Sequence, residues 1–261
     1  MKEQLVLGRC LRDLFCVLIF LGATWGGHSV VEANPMQMRV FHSTKGEDPY
    51  SGSVVLGLHM DGANGGSTFT DVKGKTITLT GSPTTSTAQV KYGTASGLFA
   101  KGHRLVLPTS ADFTYNGDFT IETWVYPTVL QTAWGIFDAR TNGGTAAMYC
   151  MGLVNVGGVY RLEYFNGTSY KATSTSVAIN TWSHVAIVRS GSTLSFYVNG
   201  VKDSTTATIA ATQTGGTSPV IGTKDDGLAG YGIVGYLDDF RITKGVARYT
   251  ANFTPPSKAF P

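Results

Sequence analysis

From Ser53 onward the chain is a succession of short segments rich in Val, Ile, Thr, Tyr and Phe, broken by Gly, Pro or Asn-Gly. A break about every 8–12 residues constrains the fold more than any other feature, because it leaves no room for regular helices and suits a β-sandwich or barrel. Side chains alternate between faces along each segment, as they do on strands. In residues 54–60, Leu56, Leu58 and Met60 alternate with Val55, Gly57 and His59; in 194–198, Leu194, Phe196 and Val198 oppose Ser195 and Tyr197. Asn199-Gly200 then predicts a type I′ hairpin turn, which needs positive φ at both central residues. Residues 202–209 return as the partner strand. Residues 119–126 and 182–189 are apolar on both faces, as central strands covered on two sides are. The last long strand is expected over 235–242, with Tyr236, Asp238, Phe240 and Ile242 sharing a face. One helical turn over 244–249 is expected before Pro255-Pro256 ends regular structure.

Composition narrows the function. Only 14% of residues are charged, the net charge is +3, and the basic residues are scattered. No basic stripe offers the footprint that nucleic acid requires, so nucleic acid is excluded as a partner. Cys150 is alone in the β region, so no disulfide forms within it. The first fifty residues differ in character. Lys2, Arg9 and Arg12 precede an apolar run over 14–21, with Val31-Glu32-Ala33 as a cleavage site, which is the three-part shape of a secretory signal. The run is shorter than the ~20 residues of a membrane span. Residues 1–33 therefore read either as a signal peptide or as an arm that docks on a partner; residues 34–52 read as a linker and 53–261 as one domain.

Five stretches in order carry a resemblance: Leu56-Gly57-Leu58-His59-Met60-Asp61-Gly62; Gly117-Asp118-Phe119-Thr120-Ile121-Glu122-Thr123-Trp124-Val125; and Asn180-Thr181-Trp182-Ser183-His184-Val185-Ala186. The others are Leu194 through Val201, and a closing stretch with Asp238-Asp239-Phe240-Arg241-Ile242-Thr243-Lys244-Gly245-Val246-Ala247-Arg248-Tyr249. On these the chain resembles the laminin-G-like, concanavalin A-like domains, especially those of phage virion proteins and of bacterial and marine viral surface proteins. The resemblance implies an all-β jelly-roll sandwich of two antiparallel sheets, with a concave face that often meets glycans or protein partners. It does not assign a function, because the fold carries many.

A glycosidase on this fold needs two carboxylates about 5–9.5 Å apart. The Glu-x-Asp-x-x-Glu pattern of laminarinase-like members is absent, and Glu122 and Glu163 have no acid two residues away. Related domains often hold calcium near the junction of first and last strands, and hard cations want several oxygen ligands. Asp61, Asp71 and Asp238 are the metal candidates, with a second reading open in which they cap turns and accept hydrogen bonds. Trp134, Tyr149, Tyr160, Tyr164 and Tyr170 form the candidate glycan platform, since the CH faces of sugars stack on flat rings; the other reading for each is edge packing with a wet hydroxyl. Cys150 lies in an apolar stretch and is expected to be inert. The expectation is a non-enzymatic recognition domain for glycan or protein at a virion, extracellular or cell surface. Other virion subunits are candidate partners through residues 1–50.

Overall fold

The computed structural model describes residues 48–140, 150–165, 169–209, 218–224 and 231–261, together with the backbone of 17–18, 29–34 and 37–42. In the N-terminal unit, β1 (Val17–Leu18), β2 (Ser29–Asn34) and β3 (Gln37–His42) form a three-stranded antiparallel sheet. Strand pairing thus runs through residues read from sequence as leader and linker. The second unit, Gly52–Phe260, is a sandwich.

One sheet of the sandwich has seven strands. Their spatial order is β13 (Tyr170–Val177), β12 (Val159–Phe165), β11 (Cys150–Val156), β10 (Ala133–Asp138), β17 (Val220–Ile221), β8 (Arg104–Val106) and β5 (Thr78–Thr80). The other sheet has eight. It runs β16 (Val201–Thr208), β15 (Thr193–Val198), β14 (Ser183–Ser190), β9 (Phe119–Pro127), β18 (Gly235–Lys244), β7 (Ser96–Phe99) and β6 (Thr84–Ser86), with β4 (Val54–Leu58) also pairing β18. All described pairings are antiparallel, as the alternation in sequence predicts. Side chains of one phase from each sheet meet in a single core, among them Leu56, Leu58, Phe119, Ile121, Trp134, Leu153, Leu162, Phe196, Leu237 and Phe240. Asn199 and Gly200 both have positive φ, 50° and 77°, as the hairpin requires.

Central strands β9 and β14 are buried on both faces for a specific reason. The C-terminal segment crosses the outer face of the eight-stranded sheet and packs Ala247, Tyr249 and Phe253 against Ala186, Val188 and Tyr197. Tyr249 and Phe253 stack in parallel at 3.5 Å, and the Tyr197 hydroxyl donates to the Tyr249 carbonyl. Here the predicted helical turn over 244–249 does not form. Gly245 takes φ 81°, and residues 246–249 have no regular secondary structure while their apolar side chains pack on the sheet. At the sandwich edge, Asp203 on β16 accepts from the Ser174, Thr175 and Thr205 backbone N–H groups, fastening one sheet to the other. Those donors hold its carboxyl below the usual range, against the cost of burial.

Candidate functional site

The outer face of the seven-stranded sheet, on β10 to β13, gathers charge and aromatic rings. Ladder partners share a face, so register defines its rows. Asp138, Cys150, Phe165 and Tyr170 form one row across four strands, and Gly135, Gly152, Glu163 and Ala172 form the next. Gly135 explains how the sheet admits a covering segment, and Gly152 how β10 and β11 approach each other at the bulge. A Cβ at Gly135 would fall 2.1 Å from the Thr223 carbonyl carbon, so Thr223 and Lys224 lie directly on the strand. A Cβ at Gly152 would meet the Trp134 carbonyl oxygen at the same distance, 2.1 Å.

That approach places Lys224 over the face. Its Nζ pairs with Glu163 and lies 5.3 Å from the Tyr170 ring and 5.2 Å from the Tyr231 ring. Beside it, the Arg140 Nε donates to both Asp138 carboxylate oxygens at 2.9 and 3.0 Å, and the guanidinium sits 5.2 Å from the Phe165 ring. Burial opposes both cationic charges. For Arg140 the Asp138 carboxylate more than offsets it; for Lys224 the Glu163 carboxylate it pairs with does. The Cys150 thiol is buried and free, and desolvation holds its pKa well above the usual value. Phe165 and Tyr170 stack at 4.4 Å, and Tyr170 is 56% exposed. The face can therefore offer a flat ring to a ligand, fixed by neighbouring paired cations at about 0.5–2 kcal/mol per cation–π contact.

The structure corrects part of the sequence-based aromatic platform. Trp134, Tyr160 and Tyr164 are completely buried and point into the core, with Trp134 and Tyr160 5.3 Å apart. Their strand phase is the inner one: Met151, Leu153 and Leu162 share it, so these rings fill the sandwich and cannot meet a ligand. The Tyr160 hydroxyl donates to the Val129 carbonyl and accepts from the Gln131 N–H. Tyr149 lies outside the described residues. Tyr170 stands at the surface. Sequence reasoning passed over Asp138, Arg140, Glu163, Phe165 and Lys224. The alternation Tyr160-Arg161-Leu162-Glu163-Tyr164-Phe165 carried the signal for β12, since one phase is core and the other is this face.

Nor are the three candidate metal ligands assembled. Asp71 is buried, and its two oxygens accept from the Gly57 and Lys75 N–H groups. Asp61 is exposed, and its Oδ1 accepts from the Thr94 and Ala95 N–H groups and the Thr94 hydroxyl. Asp238 Oδ2 accepts from the Lys91 and Tyr92 N–H groups, while Oδ1 has no hydrogen-bond partner. Asp238 also leaves the face it was expected to share with Phe240 and Ile242. Register against β9 shifts between Asp238 and Arg241, and Asp239 has φ 46°. This bulge adds a residue to β18. Leu237, Phe240 and Ile242 stay in the core, while Asp238 and Asp239 turn to the outer face of the eight-stranded sheet. There Asp239 faces His59 Nδ1 at 2.8 Å and accepts from the Phe260 N–H. Among the described residues no group of three or more His, Cys, Asp or Glu side chains is arranged to hold a metal ion. The geometry favours the hydrogen-bonding reading, so melting midpoints in millimolar calcium and in chelator should coincide. A calcium-dependent rise that vanishes in Asp238→Asn would restore the cation.

A family model described as the concanavalin A-like lectin/glucanases superfamily matches residues 99–248. No curated protein matches the chain. Among solved structures, domain 4 of AbnA, a GH43 extracellular arabinanase from Geobacillus stearothermophilus solved with arabinotriose, superposes with a TM-score of 0.54 at 16% identity, covering 74% of this chain and 93% of that one. A structure of botulinum neurotoxin type C, whose cell entry depends on two ganglioside molecules, gives 0.52 at 13% identity over 74% of this chain and 48% of that one. The binding domain of botulinum neurotoxin DC gives 0.50 at 14% identity over 74% and 47%. This chain spans about half the length of the toxin structures. At these identities the likeness is one of fold.

Proposed function

We propose that this chain, which belongs to the concanavalin A-like lectin/glucanases superfamily, is a non-enzymatic glycan-recognition domain that binds through the outer face of the seven-stranded sheet. One observation carries the reading: Tyr170 is exposed, stacked on Phe165, and bordered by the Asp138–Arg140 and Glu163–Lys224 pairs. A sugar ring has one apolar face and a rim of hydroxyls that both donate and accept. An exposed tyrosine over a fixed ring meets the first, and a charged rim meets the second. The superposed arabinanase domain was solved with arabinotriose and the type C toxin depends on gangliosides, which supports glycan as ligand class for this fold.

The setting we propose is a virion or cell surface, on the strength of the motif order in the closing stretch of the sequence. Both described carboxylates on the face are paired with cations, which favours holding a ligand over proton transfer.

Tyr170→Ala tests the site. Loss of one stacked ring should weaken binding of the best-bound oligosaccharide in a glycan panel about tenfold, or ~1.4 kcal/mol. Tyr170→Phe should retain most of the affinity. Tyr170 stacks on Phe165 and lies near Lys224, so the melting midpoint should fall by a few degrees while the fold stays intact for the titration. Unchanged affinity in Tyr170→Ala by calorimetric titration would sink the assignment.

A further inference from the structure

We propose that the end of the sandwich where β9, β11, β13 and β15 finish is a lipid-docking tip that enters the surface of an anionic bilayer. The inference uses no residue of the glycan face and stands apart from that reading.

Six of the nine large apolar side chains exposed among the described residues lie in or beside four turns. Val129 and Leu130 join β9 to β10, Val156 and Val159 flank the turn from β11 to β12, Ile179 joins β13 to β14, and Val201 opens β16. Pairing brings these turns to one end. Tyr160 is the ladder partner of both Asn155 and Val177, and its hydroxyl donates to the Val129 carbonyl and accepts from the Gln131 N–H. The Asn180 N–H donates to the Pro127 carbonyl at 2.6 Å. Asp203, two residues past Val201, accepts from the Ser174 and Thr175 N–H groups, which sets the start of β16 beside the end of β13. Exposed aliphatic side chains scattered singly need no explanation, but six gathered at one end do.

The polar groups and the charges of the turns select lipid as the occupant. Polar side chains in the turns bond back to the protein's own backbone. Thr128 Oγ1 donates to the Val234 carbonyl and Gln131 Nε2 to the Gly232 carbonyl, while Asn155 Oδ1 accepts from the Gly158 N–H and Asn199 Oδ1 from the His184 N–H. The turns can therefore leave water without stranding these groups, as entry into a bilayer requires. Sugars and proteins are recognised through hydrogen bonds, which groups already bonded inward do not offer. Six side chains also fall far short of the about 20–30 residues a side that a stable protein interface takes.

Residues 127–132, 155–160, 177–182 and 198–201 include no charged residue. Arg161 and Lys202 follow two of these stretches directly. Lys101 adjoins a third: its Cα lies 3.2 Å from where a Cβ on Gly232 would stand, and Gly232 holds Gln131. Apolar tips bordered by cations complement acyl chains beneath anionic headgroups. Trp182 and Tyr126, half-buried with rings 5.4 Å apart, stand next to two of the turns, and such rings favour the membrane–water interface.

Vesicle co-sedimentation of the full chain tests the tip. The probes are phosphatidylcholine alone and a mixture of about two parts phosphatidylcholine to one of phosphatidylserine. The wild type should bind the mixture at least about fivefold more tightly, the worth of one basic residue at an anionic surface. Leu130→Ser/Ile179→Ser should bind both vesicles about tenfold more weakly or worse. Both replaced side chains are exposed, so its melting midpoint should stay within a few degrees of the wild type. Val72→Ser, equally exposed but beside β4, and Tyr170→Ala should bind as the wild type does. A double variant that binds as well as the wild type would place the contact elsewhere in the chain, residues 1–47 included, and overturn the tip. So would failure to bind either vesicle. A dimer in sedimentation that the double variant dissolves would make the patch a contact between copies and likewise overturn the proposal.

Discussion

Arg241→Leu should be the most damaging single substitution away from the core, lowering stability by about 3–5 kcal/mol. Glu122 and Arg241 are ladder partners on β9 and β18, both buried, and Glu122 Oε1 accepts from Arg241 Nε and Nη2 at 3.0 and 2.8 Å. Glu122 Oε2 accepts from the Tyr249 hydroxyl and lies 3.2 Å from His184 Nε2. Burial alone would raise the Glu122 pKa, but Arg241, then His184 and Tyr249, outweigh it and pull it down to about 2. Losing the arginine removes both charge-assisted bonds to Glu122 and leaves its buried carboxylate with Arg248 Nε at 3.8 Å and His184 Nε2 at 3.2 Å, and it removes the guanidinium that lies 3.8 Å from the Phe260 ring. For a unit of this size the melting midpoint should fall by roughly 10 °C.

The pH response separates this from simple loss of packing. A depressed carboxyl contributes stability above its unfolded value, near 4.5, and loses it as pH falls toward 2. The wild type should therefore weaken in that window. Arg241→Leu should instead recover on acidification, as Glu122, short of its main partner, takes a proton. The double variant Glu122→Met/Arg241→Leu should regain much of the loss at neutral pH. A double variant no better than the single one would show that the pair acts through shape alone.

Asp238→Asn should have the opposite sign and raise stability at pH 8, by about 1–4 kcal/mol. Desolvation in the bulge pushes the Asp238 carboxyl up to about 7, against the backbone donors at Tyr92 and Lys91, and the neighbouring Asp239 charge adds to the rise. A carboxyl raised in the folded state favours that state while protonated. Stability is therefore greatest near the unfolded value of 3.8 and declines as pH climbs to about 7. His59 works in the same direction. Its hydrogen bond to Asp239 raises its pKa, so its contribution is present below 6.5 and lost as pH passes through the folded value. The slope that disappears in Asp238→Asn is thus that residue's own share. Asn can still accept at the Lys91 and Tyr92 N–H groups, but its amide needs an acceptor where Oδ1 now has no partner, which sets the lower figure. Urea melts at pH 5 and 8 measure both variants, and parallel pH profiles for wild type and Asp238→Asn would contradict the assignment.

Much of the fold was legible in the sequence because strand alternation and turn chemistry are local. Leu56, Leu58 and Met60 lie in the core as their spacing predicts, and Asn199-Gly200 makes the turn that only residues tolerant of positive φ make. The breadth of burial on β9 and β14 was equally plain from their two apolar faces. What the sequence could not supply was phase relative to a partner. Trp134, Tyr160 and Tyr164 look like binding residues by type, and which face is inner depends on the sheet packed opposite. The same holds for Asp238: one extra residue in β18 turns it to the other side, and that bulge exists only against the register of β9. Arg140 and Lys224 reach Phe165 and Tyr170 from separate parts of the chain, Lys224 in a segment that touches the sheet over Gly135. Local rules determined that this chain is a β-sandwich. Long-range pairing decided which side chains the sandwich hides and which it presents, because a one-residue slip exchanges the two faces of every strand.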